Sequence, residues 1–211
     1  MKQCIIVGAR GFGREMFARR MDLLGFGSEF VFKGFLDSKR EALDGFSGYP
    51  PILGTCESYE IQPDDVFFCA MGEPKWRKKY AELIEEKGGQ FITLKHISSR
   101  CYQTVSEGGG CVFDAFTEGT CDVKLGRHVC LFHAAAVGHD AVIGDYAHLA
   151  AHVGAAGGVV LGEGVMVHPG AHIIPHKCVG DWAVIGGGSL VIQDVPARKT
   201  VIGVPAKIFE F

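Results

Sequence analysis

The sequence predicts two architectures in series: an α/β domain over residues 1–95, then an all-β solenoid over residues 96–198, followed by a short tail over 199–211. Three observations predict this. Strand-like apolar runs alternate with amphipathic helical stretches in the first part. A six-residue repeat fills the second part. Residues 1–95 carry 14 basic and 14 acidic side chains and no histidine, whereas residues 96–211 carry 7 basic, 10 acidic and all nine histidines.

In the first part, "QCIIVG" reads as a buried strand and "GREMFARRMDLLG" as an amphipathic helix stopped by glycine. "FKGFLD" is a second strand closing on Asp37. After a loop holding "YPPILGT", "DVFFCAMG" is a third strand. "EPKWRKKYAELIEEKGG" reads as a charged surface helix with a glycine stop, and "FITL" as a last strand. Strands alternating with helices imply βαβ units and a parallel sheet, a Rossmann-like arrangement.

The first strand-to-helix turn is "GARGFG", with Gly8, Gly11 and Gly13 in a GxxGxG pattern. The dinucleotide fingerprint is GxGxxG, so the motif alone is weak. Its physical sense is that glycines let a backbone approach phosphates at a helix N-terminus. Asp37 ends the second strand, where ribose hydroxyls are often held. A tight turn with no ligand is the competing reading, although three glycines exceed what one turn needs. Because about 95 residues are short for a complete dinucleotide domain, a nucleotide or nucleotide sugar suits this part better than NAD.

In the second part, every sixth residue from Val123 through Val129, Ala135 and onward to Ser189 is small or β-branched, except Lys177. A second ladder runs from Leu125 through Leu131, Val137 and Ile143 to Ile185, and glycine repeatedly follows it. Two inward positions in six residues mean a short strand plus a turn, three of which close a coil of 18. Successive coils then stack at the strand spacing of about 4.8 Å. The result is a parallel β-helix of roughly five coils. Its register has a local consequence: Gly157 falls one coil above His139, in the same column.

Composition narrows the function classes. A net charge of -3 leaves no nucleic-acid footprint. No apolar run approaches the roughly 18 residues of a membrane span. The start "MKQCIIVGARGFG" lacks a signal-peptide apolar region and reads as the first strand. The eight cysteines form no CxxC pair, so reduced thiols and a cytoplasmic location are expected.

The ladder, together with "VGARGFGRE", "GFLD", "PILGT", "AMGEPKWRKK" and the tail "VIGVPAK", resembles the hexapeptide-repeat acyltransferases with left-handed β-helices. Within them it is similar to the bacillosamine and perosamine N-acetyltransferases and the sialic-acid O-acetyltransferase-like proteins. The resemblance covers essentially the whole chain, in order. It implies that His139 is the general base, oriented by Asp140. It also implies that His148, Gly157, Gly187 and Lys207 meet acetyl-coenzyme A, with the Gly157 N–H on the thioester carbonyl. Gly8, Arg10, Gly11, Phe12, Gly13, Asp37 and Lys39 would form the sugar-nucleotide site. One departure is visible: the family turn often reads G-x-S-G-H-G, where this chain has Arg10 for the serine and Phe12 for the histidine. Phenylalanine cannot bond a pyrophosphate, whereas Arg10 could pair with it.

The histidines also raise zinc. The γ-type carbonic anhydrases, solenoid relatives, bind it through three histidines, two of them five residues apart. His128 and His133 have that gap, but Ile92 stands where the third ligand would be, so no metal is expected. The uncharged stretch "VCLFHAAAVGH" suggests a face buried against other copies, and a homotrimer is expected. The expected activity is acetyl transfer from acetyl-coenzyme A to the amine of a nucleotide-linked sugar. Sugar O-acetylation and a non-catalytic nucleotide-sugar-binding protein are the alternatives.

Overall fold

In a computed structural model, described here for residues 1–210, the chain forms two compact units, Met1–Leu94 and Lys95–Phe211. Phe211, the last residue of the tail, lies outside the described residues.

The first unit holds four strands, β1 (Lys2–Val7), β2 (Phe30–Leu36), β3 (Ile52–Gly54) and β4 (Asp65–Cys69), all parallel, in the order β3-β2-β1-β4. Helix α1 (Gly11–Ala18) links β1 to β2, and α2 (Pro74–Glu86) follows β4. The core packs Ile5, Val7, Leu36, Phe67, Cys69 and Ile84. β1 is apolar without alternation because it has a strand on each side and packing on both faces. After α2 the chain returns to the free edge of β4, where Phe91 bridges Phe67 in parallel.

Three features differ from the sequence expectation. "FITL" is not one strand, since Phe91 makes only an isolated bridge and Leu94–Lys95 is a separate two-residue strand. The first helix is shorter: α1 ends at Ala18 and a single 3₁₀ turn follows over Arg20–Asp22. "ILG" is a strand rather than loop: the Phe35 N–H donates to the Pro51 carbonyl at 2.9 Å, so the two prolines that looked like loop only begin an edge strand.

A polar cluster ties β2 to the start of β4. The Lys33 ammonium donates to Tyr59 Oη and Asp65 Oδ1, each at 2.8 Å, and the Tyr59 hydroxyl donates to Asp65 Oδ2 at 2.8 Å. Burial would raise the Asp65 carboxyl, but Lys33, the Gln62 N–H and the Tyr59 hydroxyl together hold it below the ordinary carboxylate value. The hydrogen bonds to Asp65 and Tyr59 push Lys33 up.

The second unit is a parallel β-solenoid of two-residue strands. Three columns of strands stack with an offset of one coil: Lys124 pairs with Val142, Cys130 with His148, and Ala136 with Gly154. One column holds six strands, from Arg100–Cys101 to Leu190–Val191, so the coil count reaches six rather than five. Both predicted ladders point inward, and their members from Val123 to Ile185 form one buried core, Lys177 apart. Between strands the chain turns through a left-handed residue, as at Asp122, His128, Ala134, Asp140, Tyr146 and His152, each with φ near +60°. The last coil is shorter. Val179 bridges to Val195 and Val184 pairs with Thr200, and Thr200–Ile202 then pairs antiparallel with Lys207–Phe209. The stacked column therefore runs on past residue 198. No helix among the described residues is long and apolar enough to cross a membrane.

Candidate active site

The solenoid brings three of the expected residues to one corner. Ala136–Val137 and Val142–Ile143 are consecutive strands in different columns, and Gly138, His139 and Asp140 make the turn between them. The left-handed backbone of Asp140, φ 59°, folds its carboxylate back onto the preceding side chain. Asp is among the residues that tolerate this conformation. His139 Nδ1 lies 2.8 Å from Asp140 Oδ2, and both side chains are exposed. A carboxylate on Nδ1 requires the proton there, leaving Nε2 as the acceptor.

Nε2 points up the corner. A Cβ on Gly157 would sit 2.5 Å from His139 Nε2, so only glycine lets the imidazole lie against the next coil. The Gly158 N–H donates to the His139 carbonyl at 2.7 Å, and the Gly157 carbonyl accepts from the His176 N–H at 3.0 Å. The Gly157 N–H has no acceptor among the described residues, and the residue above it is Pro175. Beside this corner a groove of about 430 Å³ is lined by Ala136, Gly138, Gly154, Ala156, His172 and Pro175, among others. The corner thus holds an imidazole acceptor beside an open backbone donor, groups of the kind that serve as a general base and an oxyanion donor.

His148, Gly187 and Lys207 lie elsewhere on the chain. His148 begins a strand that pairs with Cys130 and Met166, in a different column from the strands that flank His139. Its ring packs on Phe132 with centroids 4.7 Å apart. Gly187 is in the turn between Val184–Ile185 and Leu190–Val191, another corner of the coil. Lys207 is exposed on the antiparallel strand at the end. Among the described residues no group of three or more His, Cys, Asp and Glu side chains is arranged to hold a metal ion.

The first unit offers a second place. β1 connects to β2 on one side and β4 connects to Phe91 on the other, so the chain diverges between β1 and β4. In open α/β sheets ligands bind at the carboxyl ends of the strands at such a point. A cleft of about 340 Å³ lies there, lined by Gly8, Arg10, Phe12, Asp37, Ser38, Ala70, Met71, Gly72, Trp76 and Tyr80. Four expected residues therefore share it: Gly8, Arg10, Phe12 and Asp37. Gly13 acts from behind, because a Cβ there would run into the Gly8 carbonyl, so glycine lets α1 sit directly on the strand end. Gly11 opens α1, whose N-terminus no side chain caps, which leaves that pole open to an anion. Asp37 is buried, and its oxygens accept from the Ala9 and Lys39 N–H groups at 2.9 Å each. Its first task is to shape the loop. Lys39 contributes that N–H, and its side chain is exposed.

Sequence reasoning missed Ser38, Met71, Gly72, Trp76 and Tyr80. The position of "AMGEPKW" directly after a strand was the available signal, but only the strand order shows that this turn faces the first one.

Residues 3–84 match the family described as the PglD N-terminal domain. The chain is 34% identical over 140 residues to GDP-perosamine N-acetyltransferase of Escherichia coli O157:H7, covering 65% of this chain and 54% of that protein. It thus spans about half the length of this curated relative. Among solved structures, PerB from Caulobacter crescentus, in complex with CoA and GDP-perosamine, superposes with a TM-score of 0.87 at 25% identity, over 100% of this chain and 98% of that one. The acetyltransferase domain of PglB from Neisseria gonorrhoeae, in complex with acetyl coenzyme A, gives 0.85 at 25% identity over 99% of each chain.

Proposed function

We propose, for a chain that belongs to the hexapeptide-repeat acyltransferases of the perosamine and bacillosamine N-acetyltransferase type, that it transfers an acetyl group from acetyl-coenzyme A to the amino group of a nucleotide-linked amino sugar. The observation that carries this reading is the corner where His139, oriented by Asp140, lies against Gly157 and its open N–H.

The sugar ammonium first loses a proton to solvent. The neutral amine then attacks the thioester carbon, and His139 Nε2 takes the second proton as the nitrogen–carbon bond forms. The charge that develops on the carbonyl oxygen is met by the Gly157 N–H. Collapse breaks the carbon–sulfur bond, and the imidazolium returns its proton to the leaving thiolate, releasing free coenzyme A. Asp140 holds the tautomer throughout.

The other roles belong to the same reading. Residues 1–95 act as a Rossmann-like nucleotide-sugar domain, with phosphates at the α1 N-terminus and Arg10 beside them. Residues 96–198 act as a left-handed acyltransferase coil. His148, Gly187 and Lys207 serve coenzyme binding in a cytoplasmic homotrimer. In this reading acetyl-coenzyme A lies along the groove between neighbouring solenoids.

The test is release of free coenzyme A from acetyl-coenzyme A, run with nucleotide-linked 4-amino sugars, their hydroxyl analogues and free sugars. The expected result is turnover with the amino nucleotide sugars only, lost in His139→Ala. Turnover with hydroxyl acceptors would move the reaction to O-acetylation, and silence across the panel would leave a binding protein.

A further inference from the structure

The cleft of the first unit carries more aromatic surface than phosphates and a ribose can use. Trp76, in the first turn of α2, lines it with Tyr80, one turn further on. Their ring centroids are 6.4 Å apart and their planes 31° from parallel. Trp76 is 43% exposed, so core packing does not explain it. The ammonium groups of Lys75 and Lys79 lie 5.2 and 5.4 Å from its ring centroid, which steadies the indole.

The carboxylate of the cleft is engaged, while Arg10, Ser38 and Tyr80 also present polar side chains to it. Asp37 is occupied by two backbone N–H groups. Arg77, buried beneath, donates to the Met71 and Gly72 carbonyls at 2.7 and 3.2 Å. Arg10 stands at the α1 N-cap, the pole that favours phosphate. No carboxylate or carboxamide other than Asp37 lines the cleft. For a planar ligand group the available surface is the exposed part of the Trp76 indole, beside Tyr80 and the two ammonium groups.

We propose that Trp76, supported by Tyr80, is the stacking platform for the nucleobase of the acceptor, and that the base is selected by ring area rather than by a hydrogen-bond code. This rests on the reading of the cleft as a nucleotide site. Stacking tolerates every base, because each has a π-face. A purine diphosphate then binds more tightly than a pyrimidine diphosphate, and neither is excluded.

Tryptophan fluorescence tests this, since the chain has two tryptophans, Trp76 and Trp182. GDP, UDP and inorganic pyrophosphate are titrated into full-length Trp182→Phe, with affinities measured in parallel by calorimetry. GDP and UDP should quench Trp76 saturably, within about tenfold of each other, and pyrophosphate should not. In Trp76→Leu, GDP affinity should fall roughly tenfold to hundredfold, the size of one base–aromatic stack, and Trp76→Phe should recover part of it. GDP binding at wild-type affinity in Trp76→Leu would overturn the platform while leaving the nucleotide reading intact. Discrimination between GDP and UDP beyond about a hundredfold would overturn selection by ring area. Absence of all nucleotide binding in the wild type would remove the nucleotide reading and the platform together.

Discussion

Two corners of the solenoid are built from the same six-residue grammar and end in opposite states. At one, the Arg127 N–H is capped by Asp145 Oδ1 of the coil above at 2.8 Å, and the Glu163 N–H by Asp181 Oδ1 at 2.9 Å. At the other, Gly157 has Pro175 above it, and its N–H keeps no acceptor among the described residues. The carboxylates differ in the same way. Asp145 and Asp181 bind the backbone and close the coil, whereas Asp140 binds His139. Among the described residues, open turn donors recur along the coil, at Asp145 as at Gly157, and what marks the His139 corner is the imidazole that stands beside the open donor.

The largest break in that contrast is expected from His139→Ala, which should lower kcat/KM for acyl transfer roughly 10²–10⁴-fold with an unchanged melting temperature. Retained turnover would remove His139 from the reaction. Gly157→Ala comes next, because its new Cβ meets the imidazole. A misplacement on the order of 1 Å costs about 10²-fold, and loss of kcat with folding intact is the outcome to measure. Asp140→Asn should cost less. The pair is exposed, and a hydrogen bond of this kind contributes about 1 kcal/mol net, or about fivefold in rate.

At the closed corner the effect should change in kind. Asp181→Ala removes one cap and should cost about 1 kcal/mol of stability, roughly 2–4 °C in melting temperature for a chain of this size, with kcat unchanged. A fall in kcat there would mean that the corners are not separable.

The smallest effect sharpens the contrast from the first unit, where Asp65 is another carboxylate occupied by structure. Its folded-state pKa is lowered, so its contribution is present above its unfolded pKa of about 3.9 and is lost as pH falls through the folded value. In denaturant titrations, the stability advantage of wild type over Asp65→Asn should hold from pH 7 to about 5 and shrink below about pH 4. An advantage that stays constant to pH 3 would show that the cluster does not titrate this way. The raised Lys33 has the opposite sign: its contribution is complete below about pH 10 and is lost as pH rises further.

The sequence by itself determined the solenoid and which residues meet at the His139 corner. Six-residue periodicity is local and covalent, so it specifies which residues point inward and which lie one coil apart. His139 beneath Gly157 follows from a spacing of 18, and Lys124 opposite Val142 obeys the same count. The resemblance named Asp140 as the partner, and its Oδ2 lies 2.8 Å from His139 Nδ1. In the first unit, the strands and the glycine turn were legible because each is a local pattern.

Only the tertiary structure decided the rest. The order β3-β2-β1-β4 depends on crossovers between distant segments, and it sets the turn after β4 opposite the turn after β1, making Trp76 and Tyr80 walls of the cleft. A capped backbone donor depends on what stands one coil above it, Asp181 over Glu163 but Pro175 over Gly157. His148, Gly187 and Lys207, expected from the resemblance to meet acetyl-coenzyme A, lie away from the His139 corner within the chain. A periodic sequence fixes the neighbours that its own repeat creates. Contacts between segments without a shared period come from packing, where burial of apolar faces chooses the partner.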